Sequence, residues 1–236
     1  MDRAVFVALS GAITQERRLE LLTEGLANIN TPGFKRERPL FEDASPYPGS
    51  PRVFSRIMES LTDMTQGVVQ KTERNLDVAL RGNGFFAVET PAGVRYTRAG
   101  NFTINPERML VTAAGHPVLG EGGPVQITGP DVAIDSEGSI KTGGAIAGKL
   151  RVVDFAGAAA LVRQGNYFAA PPSLLPTQAR PDGTLIEQGV LEVSNMNAVT
   201  AMTSMIEAMR SYETQAKMIE TIDDMTRKSI EEVGRF

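Results

Sequence analysis

The residues able to do chemistry in this 236-residue chain are few and poorly grouped for it. Cysteine is absent, which removes disulfides, thiolate nucleophiles and zinc–sulfur sites together. His116 is the single histidine, so no histidine cluster can hold a metal, and a serine–histidine–acid triad would rest on that one ring. It lies in Ala113-Ala114-Gly115-His116-Pro117, a turn sequence that assigns it to the surface. Asp77, Asp131, Asp135 and Glu137 are scattered over turns and strands without the ligand spacing of a calcium loop. Carboxylate pairs of the glycosidase kind need only meet in space, and nothing in the pattern points to one.

Two glycine-rich stretches imitate nucleotide motifs. Gly82-x-Gly84-x-x-Ala87 matches a loose dinucleotide fingerprint, but that motif must open a helix whose N-terminus holds the pyrophosphate. Here it opens Phe85-Phe86-Ala87-Val88-Glu89, a strand, so a hairpin turn is expected. Gly120-Glu121-Gly122-Gly123-Pro124 lacks the Lys-Ser/Thr that completes a phosphate loop and is another turn. No catalysis, cofactor, metal or small-molecule substrate is expected. The net charge of −4 gives no reason to expect nucleic acid. Lys35, Arg36 and Arg38 are the nearest approach to a basic block, and Glu37 interrupts them, which predicts a solvated charged stretch.

The elements that must carry these residues are arranged with helices at both ends. Ala198, Met202, Met205, Met209, Tyr212, Ala216 and Ile219 alternate at spacings of four and three, the repeat that keeps one seam facing a partner helix. Val5, Leu9, Ala12, Leu19 and Leu26 follow the same spacing near the N-terminus, interrupted at Glu16 and Thr23. Asp223 and Thr226 interrupt the second seam, which, with Glu16 and Thr23, argues against a simple two-stranded coil. Glu207, Arg210, Glu213, Lys217 and Glu220 alternate in sign on the other face of the last helix, as expected for one exposed side.

The first helix is predicted over about Asp2 to Asn30, stopped by Asn28-Ile29-Asn30-Thr31-Pro32-Gly33. Residues 34–66, punctuated by Pro39, Pro46, Pro48 and Pro51, read as an extended connector. From 67 to 190 short alternating runs and recurrent turns predict a mainly antiparallel β domain, an irregular barrel or sandwich. After Gly189 the helical period returns, with Ser194, Asn195 or Asn197 able to cap a helix reaching about Val233. The expected class is therefore α+β: residues 1–33 and 191–236 pair as a coiled-coil-like core domain, with a mainly antiparallel β domain central in the sequence. No run approaches the roughly 20 apolar residues of a membrane span. The N-terminus lacks a continuous apolar core and a small-residue cleavage site, so export would proceed without a cleaved signal.

Three segments, read as wholes, carry a resemblance. Leu26-Ala27-Asn28-Ile29-Asn30-Thr31-Pro32-Gly33-Phe34-Lys35 closely resembles the N-terminal signature of the bacterial flagellar axial proteins, the rod and hook family. Leu76 to Phe86 followed by Tyr96-Thr97-Arg98-Ala99-Gly100-Asn101-Phe102 is similar to that family's central β signature. Leu191-Glu192-Val193-Ser194-Asn195-Met196-Asn197-Ala198, with Met205-Ile206 and Arg210-Ser211-Tyr212-Glu213, resembles its closing motif. The three occur in the family's order over nearly the whole chain.

The resemblance implies a non-catalytic subunit of the flagellar rod that partners copies of itself and other rod proteins. It also implies export by the flagellar type III apparatus into the periplasmic space. Short length argues against the hook protein. Met209 and Gln215-Ala216 depart from the distal-rod closing run, which favours a proximal-rod member over a distal-rod one. The rival from another class is a secreted β-domain enzyme or carbohydrate-binding protein that dimerises through its helices. The absence of tryptophan weakens a sugar-binding platform. Expected subunit-interface residues are Val5, Leu9, Ala12, Leu19, Leu26, Asn28, Asn30, Thr31, Pro32, Gly33, Phe34, Asn195, Asn197, Met202, Met205, Met209, Tyr212, Ala216 and Ile219.

Overall fold

A computed structural model describes residues 2–44, 54–176 and 183–233. It separates into two compact units. One gathers the residues up to 27, residues 37–61 and those from 197 onward; the other holds residues 28–36 and 62–196.

The first unit is built on two helices, α1 (Asp2–Ala27) and α2 (Ala198–Val233), which pack along each other. At 36 residues, α2 runs about 54 Å. It starts where Asn197 accepts the backbone N–H of Thr200 at 3.0 Å, so Asn197 is the cap among the three side chains expected to compete for it. Threonines are tolerated in α2 because Thr203, Thr214, Thr221 and Thr226 donate their hydroxyls to the carbonyl four residues earlier. The small residues lie inside: Ala8 and Ala12 are buried on α1, Ala201 and Ala208 on α2. Gly11 allows the close approach, since a Cβ placed there would stand 2.9 Å from Nε2 of Gln215.

The stretch expected to be an extended connector instead carries β1 (Glu37–Ala44) and β2 (Phe54–Thr62), paired as a two-stranded sheet in this unit. Pro39 fits there because each strand of a two-stranded sheet has a free edge, where a missing N–H donor costs nothing. Pro46, Pro48 and Pro51 lie outside the described residues.

The second unit is the β body, in which every strand pairing is antiparallel. After β3 (Val69–Lys71) and β4 (Val78–Arg81), its centre is β5 (Phe85–Thr90), hairpinned to β6 (Gly93–Thr97) through Pro91-Ala92. A five-stranded sheet runs in the order 152–153, β5, β6, 167–169, 162–164. Four consecutive residues of β5 are buried because the strand lies between two cores. Phe86 and Val88 join the larger cluster, with Phe102, Leu110, Ile127 and Ile140. Phe85 and Ala87 join the other, with Tyr96, Val153, Phe155 and Phe168. The two-residue alternation of a strand sends each set to its own side.

The Gly82–Gly84 segment is a turn with positive φ at both glycines, and it opens a strand as expected. It is not a hairpin, however: β4 pairs with Leu185–Gln188, a strand far ahead in sequence, and β5 pairs elsewhere. Local pattern cannot reveal a partner a hundred residues away. His116 closes a turn in which Thr112 donates its backbone N–H to the His116 carbonyl at 2.8 Å, and its ring meets Tyr167 edge-on. Among the described residues there is no acidic or histidine cluster able to hold a metal, and no helix is long and apolar enough to cross a membrane.

Candidate functional site

Two features stand out: the corner that follows α1, and the outward faces of the helices. The helical pattern stops at Ala27, three residues before the expected boundary, and the chain then turns through Asn28 to Lys35. Thr31 donates its backbone N–H to the carbonyl of Asn28 at 3.1 Å, and its hydroxyl to Asn28 Oδ1 at the same distance. Gly33 has a φ of 67°, the left-handed region. A Cβ there would stand 2.3 Å from the backbone nitrogen of Ala99, so glycine is required twice over, for conformation and for space. Gly33 donates its N–H to the carbonyl of Glu192 at 2.7 Å, and Asn166 donates to the carbonyl of Pro32 at 3.1 Å. Phe34 is buried beneath the guanidinium of Arg163, which lies 5.0 Å from the ring centre.

Lys35 is not part of a solvated charged stretch, as its neighbours suggested. It is 1% exposed, and its Nζ donates to Glu192 Oε1 at 2.5 Å and to the Thr65 carbonyl at 2.7 Å. Glu192 Oε1 also accepts the backbone N–H of Gly67 at 2.9 Å. On its other side, Glu192 Oε2 lies 3.6 Å from Arg98 Nη1, and Arg98 stacks 5.3 Å from the centre of the Phe85 ring. One buried carboxylate therefore serves two buried cations. Desolvation pulls Lys35 below its ordinary value while Glu192 opposes the fall; the same two causes, in the same order, act on Arg98. Arg36 pairs with Asp63 at 2.9 Å, and its backbone N–H donates to Asn195 Oδ1 at 2.9 Å. Asn195 Nδ2 returns donors to the Asp63 carbonyl at 2.7 Å and to Thr65.

The structure thus gathers Thr31, Pro32, Gly33, Phe34 and Asn195 in one place, while Asn30 and Asn197 are exposed. Sequence reasoning missed Lys35, Arg98 and Glu192. Each sits inside one of the three resemblance motifs; Glu192, alone among Val190, Leu191 and Val193, was the one legible signal of a buried charge.

Along the helices the expected seam divides. Ala12 is buried; Val5, Leu19, Leu26, Met205 and Ile219 are half-buried; Leu9, Met202, Met209, Tyr212 and Ala216 are exposed. The inward line of α2 is shifted by one position, to Ala201 and Ala208. Its outward line, Val199, Met202, Ile206 and Met209, is 74%, 52%, 54% and 50% exposed. On α1, Phe6, Val7, Leu9 and Ile13 are exposed as well. Leu21 apart, the fully buried apolar residues of the pair are small and many large ones face out, the reverse of a self-sufficient helix pair.

The family model "Flagellar basal body rod FlgEFG protein C-terminal" matches residues 187–232, and "Flagellar hook protein FlgE/F/G D1 domain" matches residues 79–148. Over its whole length the chain is 35% identical to all of the flagellar basal-body rod protein FlgF of Caulobacter vibrioides. It is 34% identical to FlgF of Escherichia coli, over 95% of each chain. It is 33% identical to the flagellar basal-body rod protein FlgG of Buchnera aphidicola, over 97% of this chain and 98% of that one. Full-length similarity of this kind, with both domain matches in order, means that the chain belongs to the FlgF family of flagellar basal-body rod proteins, a family of structural subunits and not of enzymes.

Proposed function

We propose that this chain is a structural subunit of the proximal part of the flagellar rod and polymerises through its terminal helices into the shaft that transmits torque. The carrying observation is the inverted helix pair: alanines inside, and Val199, Met202, Ile206 and Met209 outside with Phe6, Leu9 and Ile13. Burying each large apolar side chain contributes about 1.5–3 kcal/mol before ordering entropy is subtracted. That gain is available only when neighbouring subunits cover the outward faces. Heterologous contacts of this kind repeat into an open helical array rather than closing on themselves.

In this reading α1 and α2 pair as a coiled-coil-like element among the many helices of a tube. The subunit interface comprises Val5, Leu9, Leu19, Leu26, Met202, Met205, Met209, Tyr212, Ala216 and Ile219, with Ala12 buried behind it on the inward side of α1 and the Asn28–Phe34 corner and Asn195–Asn197 also contributing. The chain's partners are copies of itself and other rod proteins, reached after export by the flagellar type III apparatus, without a cleaved signal, into the periplasmic space. Nucleation of an isolated helix is costly, so the ends can pass through an export channel loosely ordered and stiffen on packing.

The test is immunolabelling of isolated basal bodies with antibody to the β body. Label on the inner-membrane side of the rod is expected. Label confined to the segment next to the hook would move the chain to the distal rod.

A further inference from the structure

We propose that Glu192 is a positioning residue whose one carboxylate seats the Asn28–Arg36 corner on the β body by neutralising two cations from separate segments. Lys35 arrives with the corner, Arg98 with the residue after β6, and Glu192 with the strand Val190–Glu192 that leads towards α2. All three are almost wholly buried. The first two repel each other, and no hydrogen bond reaches Nε or Nη1 of Arg98. Asp63 on the Lys35 side and Asp154 on the Arg98 side are the other carboxylates acting on the pair, each after Glu192 in strength. Without Glu192, two like charges would share a pocket walled by Phe85, with the Thr65 carbonyl as acceptor for Lys35. Uncompensated buried charge is among the costliest features a fold can carry.

Chain order gives this arrangement a consequence. Lys35 and Glu192 are 157 positions apart, so the corner acquires its main counter-charge only when the closing run is present and folded. Glu192 also holds both strands of chain entering the corner region: its carbonyl accepts Gly33 N–H, and its carboxylate accepts Gly67 N–H. The corner after α1 and the segment before α2 are therefore fastened by a single charge balance, and a chain lacking its end leaves its beginning unseated. This holds for the β unit alone and does not depend on how subunits assemble.

Hydrogen exchange on the full-length protein tests it. Glu192→Gln keeps the volume and one acceptor oxygen for Lys35 and Gly67, while removing the charge and replacing the oxygen that faces Arg98 with an NH2 donor. The amides of Gly33, Arg36 and Gly67 should then exchange on the order of a hundredfold faster, with Ala87 and Leu150 in the sheet core unchanged. Lys35→Met/Glu192→Gln, which removes one cation with the carboxylate, should return the corner towards native protection. Native exchange in Glu192→Gln, or a double variant no better protected than the single, would overturn the assignment. Should Glu192→Gln fail to fold, a folded double variant supports the charge balance, and an equally unfolded one overturns it.

Discussion

The backbone N–H of Arg36 is satisfied by the side chain of Asn195, Oδ1 to N at 2.9 Å, across 159 residues of sequence. The same amide donates to the Asp63 carbonyl, so one asparagine stitches three segments together. Asn195→Ala leaves a donor and an acceptor without partners in a partly buried site. A loss of roughly 2 kcal/mol or more in urea unfolding is expected. Asn195→Asp keeps the acceptor but turns the donor contacts with Asp63 and Thr65 into repulsions, and should lose at least as much.

Gly33 separates conformational from steric demand. Gly33→Ala and Gly33→Asn should both lose about 3 kcal/mol or more, because Cβ meets the Arg98–Ala99 backbone whichever residue carries it. Gly115 has a φ of 84° with nothing within 4 Å of an added Cβ. There Gly115→Asn should cost less than about 1 kcal/mol, since asparagine tolerates the left-handed region. Thermal unfolding of the three variants checks the contrast, and a well-tolerated Gly33→Asn would contradict it.

At Gly11 two effects of similar size oppose each other. Alanine favours the helix by about 1 kcal/mol, while its Cβ presses on the flexible end of Gln215. Gly11→Ala should therefore melt within a few degrees of the native protein by circular dichroism. Gly11→Leu should lose helical signal at lower temperature, because a branched side chain cannot be accommodated by moving one amide.

The buried lysine carries a pH signature. Desolvation places the Lys35 value below the ordinary one in the folded state, so between the two values the unfolded chain holds the extra proton. Stability from this group rises with pH across that window. Tyr96, raised by burial, acts in the opposite sense at still higher pH. The difference between the native and Lys35→Met stability curves isolates the lysine, and it should climb on the alkaline side below the ordinary lysine value. A flat difference would place Lys35 in water.

Much of this architecture was legible from spacing. The period of Ala198 to Ile219 and the Asn-Pro-Gly stop after Leu26 predict the two helices, and the alternation around Phe85 predicts the central strand. Three things were hidden for physical reasons. The seam of α2 is occupied by alanines, so apolar size pointed to Met202 and Met209 although Ala201 and Ala208 are the buried positions. Strand partners such as β4 with Leu185–Gln188 are set by long-range packing. Lys35, beside Arg36 and Arg38, reads as one more solvated cation until Glu192 is placed against it.

The central claim is that the outward apolar line of α2 makes subunit contacts. Its most direct test is Ile206→Glu/Met209→Glu, expressed in place of the native chain, with basal bodies isolated and the protein quantified in them. Both side chains are at least half exposed, so the variant should unfold at the native temperature to within a few degrees, yet be missing from basal bodies. Ile146→Glu, at a still more exposed apolar site on the β body, should be incorporated normally. Native amounts of Ile206→Glu/Met209→Glu in the rod would contradict the account.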